Sequence, residues 1–226
     1  MRIPYRWRVF LRDQPPATLW ILGVIVVLYL VLVVLGLAAP EAGGWIVRLL
    51  ALTPARLIED GPQGVLTMTF VHAPDAVLQI LLNGLVLFSL GRWIEKAVGT
   101  RRFLALFAVV AAGAGVAQTA WAFLAGDPSR TVMGSTGAVI GVLTAFALLF
   151  PDAMLRFWMA APIRAKNLVW LALGMDLVLL IGDVRVDVPA HLGGMIAAFL
   201  MIRRPWRPEW RRAFRARLAK LRRAMT

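Results

Sequence analysis

The chain has 226 residues, of which 60% are hydrophobic, a formal net charge of +13 and no cysteine. So apolar a composition leaves too little polar surface for a water-soluble globule, and the missing cysteine excludes a disulfide framework, a thiol nucleophile and a thiolate metal site. The positive charge would suit nucleic acid in a soluble domain, but here it flanks apolar blocks, so a membrane explains it and no nucleic-acid partner is expected.

A basic tail, residues 1–16 with Arg2, Arg6, Arg8 and Arg12, precedes an apolar run at Ala17–Ala39. That run is too long for a signal-peptide core and reads as a retained first span. The connection from Pro40 to Val65 holds Trp45-Ile46-Val47 and Leu49-Leu50-Ala51-Leu52. It is too apolar for a solvated loop and suits an element in the outer interface, with Arg48 and Arg56 kept wet. Further spans are expected at Leu66–Leu90, Phe103–Ala125, Val132–Phe150, Asn167–Ile181 and Val188–Ile202, the fifth being short at 15 residues. In the tail, 203–226, Trp210, Phe214, Leu218 and Leu221 recur at helical spacing among Arg and Lys. Such a helix either lies along an anionic membrane surface or simply anchors the topology.

The expected architecture is therefore all-α: a six-transmembrane-helix bundle, 17–202, between two basic tails. With the N-terminus inside, 21 of the 25 Lys and Arg residues fall on the cytoplasmic side, leaving Arg48, Arg56, Arg130 and Arg185 outside. Both termini are then cytoplasmic, in a bacterial-type inner membrane.

This topology brings five polar side chains to one level in the outer third of the bilayer: Gln79, Asn83, Thr136, Asp176 and His191. Polar groups at that depth are costly unless paired, so they form either a hydrogen-bonded knot or a site. Gln79 and Asn83 could be interhelical glue, Thr136 could bond back to a carbonyl, and Asp187 could cap the last span. Asp176 should face the bundle rather than lipid. His72 and His191 are the only imidazoles, so any His-dependent chemistry uses one of them.

Three motifs in order then resemble the rhomboid intramembrane serine proteases. The second span carries Phe70-Val71-His72, Asn83 and the run Gly91-Arg92-Trp93-Ile94-Glu95 to Gly99, similar to the family's G-x-x-x-E-x-x-x-G. Gly134-Ser135-Thr136-Gly137 is similar to its G-x-S-G, and Ala190-His191-Leu192-Gly193-Gly194 to its A-H-x-x-G. Two positions depart: the family's serine falls on Thr136, and the helix-2 histidine four residues before the Asn falls on Gln79. Ser135 points about 100° away around a helix. Threonine keeps the hydroxyl but adds a crowding methyl, and glutamine keeps a donor.

The resemblance implies an intramembrane endopeptidase acting on transmembrane segments of other membrane proteins, without metal or cofactor. Thr136 would be the nucleophile and His191 its base, with Asn83, Gln79 and backbone N–H groups at the start of the fourth span holding the oxyanion. Gly134, Gly137, Gly193 and Gly194 would let the fourth and sixth spans approach, bringing the Thr136 hydroxyl within about 2.6–3.5 Å of His191. The other reading is a pseudoprotease that binds transmembrane helices and alters their folding, sorting or turnover.

Overall fold

Pro16 opens α1 (Pro16–Ala38), where a residue without an N–H gives up nothing in the first turn. The structure is a computed structural model that describes residues 15–155, 162–182, 187–203 and 219. The backbone N–H groups of Ala17 and Thr18 donate to the two carboxylate oxygens of Glu95 at 2.9 and 2.8 Å. The hydroxyls of Thr18 and Thr100 add two more bonds at 2.8 Å. Glu95 is only 3% exposed, and four donors at the positive end of a helix offset the burial of its charge.

Helix α1 buries Ala17, Ile21, Ile25 and Leu32 along one stripe, while Trp20, Val27, Val34 and Leu37 remain exposed. The amphipathic α2 (Pro40–Leu50) folds back on it, with Gly43 against Leu35. Beyond a 3-10 turn at Pro54–Arg56, Arg48 grips the Asp60 carboxylate through Nε at 3.1 Å and Nη2 at 2.8 Å. Leu52 pairs with Val132 through two backbone bonds of 2.9 and 2.8 Å.

The expected second span, Leu66–Leu90, needs correcting. Residues Gly64–Thr67 form a short helix, α3, and Met68–Phe70 a 3-10 turn, with Met68 and Val71 buried inside the protein. The long helix α4 runs instead from Val77 to Val98, through a widened π turn at Leu87–Gly91. After Gly99, whose φ of +87° turns the chain, α5 (Thr100–Leu124) crosses back.

Helix α6 (Thr136–Leu149) occupies the centre and is buried almost all round, from Gly137 through Val142 without a break. A two-residue antiparallel pair, β1 (Met154–Leu155) and β2 (Ile163–Arg164), leads to α7 (Leu168–Ile181), and α8 (Val188–Arg203) returns against α5 and α6. Helix α7 buries only Leu168 and Asp176.

Helices α1, α4 and α5 are long and apolar enough to cross a membrane. Helices α6, α7 and α8, with 14, 14 and 16 residues, reach roughly 21–24 Å at about 1.5 Å per residue, short of a hydrocarbon core of about 30 Å. Leu78, Leu81, Leu82 and Leu85 of α4 and Trp170, Val178 and Ile181 of α7 are exposed, a surface that lipid and not water solvates. The basic N-terminal tail through residue 14, the amphipathic pattern at Trp210, Phe214, Leu218 and Leu221, and Arg156 and Arg185 lie outside the described residues.

Candidate active site

The turn before α6 is stitched down before the helix begins. Gly134 N–H donates to the Met68 carbonyl at 2.9 Å, and Ser135 N–H donates to His72 Nε2 at 3.1 Å. Gly134 sits at φ +128°, and a Cβ there would lie 2.9 Å from Gln79 Nε2, so only glycine both turns the chain and leaves room for that amide.

Two hydroxyls follow in sequence and meet different surroundings. Ser135 is fully buried; its Oγ lies 3.1 Å from His72 Nε2 and accepts from Asn83 Nδ2 at 3.0 Å. Because His72 Nε2 already accepts the Ser135 N–H, it carries no proton of its own and also takes the Ser135 hydroxyl hydrogen. Burial pushes the His72 imidazole below its usual range, against a smaller opposing pull from the Phe70 backbone, which keeps it neutral in this acceptor role. His72 and Ser135 thus form a buried clamp under the turn.

Thr136, the first residue of α6, is partly exposed. Its Oγ1 accepts from Gln79 Nε2 at 2.8 Å and from Asn83 Nδ2 at 3.0 Å. One Asn83 amide is therefore shared between the two hydroxyls. Gln79 and Asn83, one turn apart on α4 and expected to hold an oxyanion, donate here to this hydroxyl.

His191 lies on α8, 6% exposed, with Nδ1 at 2.9 Å from both carboxylate oxygens of Asp176 on α7, itself 5% exposed. Asp176 faces the bundle as expected. A direct Thr136–His191 hydrogen bond, also expected, is not among those of the described residues: Thr136 Oγ1 is held by the two amides and His191 by Asp176. The two residues are nevertheless neighbours of a backbone contact, since a Cβ on Gly137 would lie 2.9 Å from the Ala190 carbonyl oxygen.

The four glycines divide their work differently from the expectation. Gly137 and Gly194 do join α6 to α8, a Cβ on Gly194 meeting the Gly137 carbonyl. Gly193 instead faces Gly113 and Ala117 of α5, and Gly134 serves the turn rather than helix packing. Asp187 is not an isolated cap: its carboxylate pairs with Arg130 at 2.9 Å and accepts from Gln118 Nε2 at 3.3 Å. Gln118, 2% exposed in the last third of α5, was not singled out in the sequence, though an amide within an apolar span is a signal. Among the described residues, no three His, Asp or Glu side chains gather as a metal site would need.

The arrangement presents a hydroxyl with two amide donors on its oxygen, an imidazole on the adjoining helix, and the free N–H groups of the α6 N-terminus beside them. Residues 61–206 match the family model described as Rhomboid domain. No curated protein matches the chain.

Proposed function

The chain belongs to the rhomboid family, and on that premise we propose that it is an intramembrane endopeptidase that cleaves transmembrane segments of other membrane proteins. The observation that carries this reading is the hydroxyl of the partly exposed Thr136 under two amide donors, beside the helix that bears His191. His191 takes the hydroxyl proton, Oγ1 attacks the peptide carbonyl, and the departing amine takes that proton back; water then releases the acyl group. Asn83 and Gln79 rotate from Oγ1 to the oxyanion, which forms only two bonds away, together with N–H groups at the start of α6. The Thr136 methyl restricts the approach and makes this a slow enzyme.

The finer architecture belongs to the same proposal. The chain spans six times with both termini in the cytoplasm, α6 to α8 crossing where the bilayer thins to meet them. Substrates enter beside α7 and the segment before α4, where the lipid-facing surfaces of α4 and α7 lie, and the basic tail rests on anionic lipid.

One observation favours a pseudoprotease that binds transmembrane helices without cutting them: Thr136 Oγ1 accepts two hydrogen bonds and donates none to His191. Purified protein and a reporter transmembrane substrate decide between the two. The protease cleaves as wild type, loses activity in Thr136→Ala and His191→Ala, and gains it in Thr136→Ser. Activity in Thr136→Ser alone identifies the pseudoprotease with its fold intact, and inactivity of all four folded, substrate-binding proteins removes the enzyme altogether.

A further inference from the structure

We infer that Asp176 is a positioning residue for His191, making the site a Thr136–His191–Asp176 relay rather than a bare pair; the inference rests on the endopeptidase reading above. Nothing in the hydrophobic pattern of α7 calls for a carboxylate. Its neighbours Met175 and Leu177 face lipid, and an ionised side chain at this depth is costly unless paired. Yet Asp176 is buried, and His191 Nδ1 stands 2.9 Å from each of its oxygens. Among the described residues no other group hydrogen-bonds to that carboxylate.

The donors and acceptors complete the argument. An ionised carboxylate can only accept, so Nδ1 carries the proton, and in the neutral ring Nε2 is left with its lone pair. Across the α6–α8 contact, Thr136 Oγ1 has accepted two amide hydrogens while its own hydrogen goes to no described group. The unclaimed acceptor is Nε2 of His191 and the unclaimed donor is the Thr136 hydroxyl, and they sit on residues flanking the Gly137–Ala190 contact. Asp176 therefore selects the tautomer that can take the nucleophile's proton, and stabilises the imidazolium formed when it does. It also ties α7, whose residues are mostly exposed, to α8. A tether alone would tolerate asparagine, whose carbonyl oxygen can accept from Nδ1–H; a tautomer-setting role would not, because the asparagine NH2 can equally donate to Nδ1 and reverse the ring.

The chain has two histidines, so nitrogen-15 imidazole spectra of the full-length protein, purified through a tag without histidine, resolve His191 directly, with His191→Gln assigning the signal. At pH 7 the wild type should show Nδ1 protonated and Nε2 bare. Asp176→Asn should populate the Nε2–H form, and Asp176→Glu should restore the original one. On the reporter substrate, Asp176→Asn should lower kcat by about 10²–10⁴ with KM little changed. A wild-type His191 that carries its proton on Nε2, or carries two protons, overturns the inference whether or not the protein cleaves. Asp176→Asn with unchanged tautomer and unchanged kcat also overturns it, leaving a tether. Should the wild type show the Nδ1–H tautomer, and Asp176→Asn disturb it, while no protein cleaves the substrate, then the endopeptidase reading fails and the positioning of His191 by Asp176 stands.

Discussion

Replacing Gly137 with alanine tests whether close backbone packing sets the site. The added carbon would lie 2.9 Å from the Ala190 carbonyl oxygen on α8 and 2.8 Å from Ala114 Cβ on α5. Ordinary contact begins near 3.4 Å, so α8 and α5 must each retreat by about 0.5 Å, and neither obstacle is a flexible side chain. Overpacking of this kind costs about 1–3 kcal/mol. Because Gly137 adjoins Thr136 and Ala190 adjoins His191, the same retreat widens the gap the proton must cross, and a fall in kcat of at least about tenfold is expected. Gly174→Ala on α7 is the control, since nothing lies within 4 Å of its new carbon and the helix gains about 1 kcal/mol of propensity. Unfolding in mixed micelles measures the first quantity and cleavage of the reporter substrate the second. Equal stability and equal turnover for the two variants would refute the packing argument.

Ser135→Ala removes the hydroxyl between His72 and Asn83 but leaves Thr136 intact, so it should cost about 1–2 kcal/mol in stability and keep cleavage within about tenfold of wild type. Loss of cleavage in a folded Ser135→Ala protein would make Ser135 the nucleophile instead. Glu95→Gln turns an NH2 toward groups that themselves donate, and unfolding should show a loss of about 1–3 kcal/mol for each donor left unpaired. A phosphatase fused at Thr226 should be inactive and a fluorescent protein there should glow; the reverse result would overturn the six-span topology.

The apolar blocks made the helices legible, because lipid imposes length and composition together. The second block misled at both ends for identifiable reasons. Met68, Phe70 and Val71 are apolar because they pack against other protein, not because a single span begins there, and hydropathy cannot tell the two apart. At the far end, Arg92, Glu95 and Lys96 look like the edge of the membrane, yet the helix continues to Val98 because α1 and Thr100 satisfy Glu95. Gln79, Asn83 and Thr136 were legible through spacing and depth. The partners of Asp176, Ser135, His72 and Asp187 were not, since each is set by where a distant helix places its side chains. His72 and Ser135 are 63 residues apart, and no local pattern couples them.

The hold of Glu95 on the first turn of α1 has a bearing on how the protein is made. The matched domain begins at residue 61, so α1 lies outside it and is synthesised first. Until α4 arrives, the first N–H groups of α1 have only water or lipid headgroups for partners. The start of α1 and the end of α4 emerge on the same face, so the carboxylate reaches its donors without being dragged through hydrocarbon. The last step of α1 docking is then the closing of a polar latch between two helices each long and apolar enough to cross a membrane unaided.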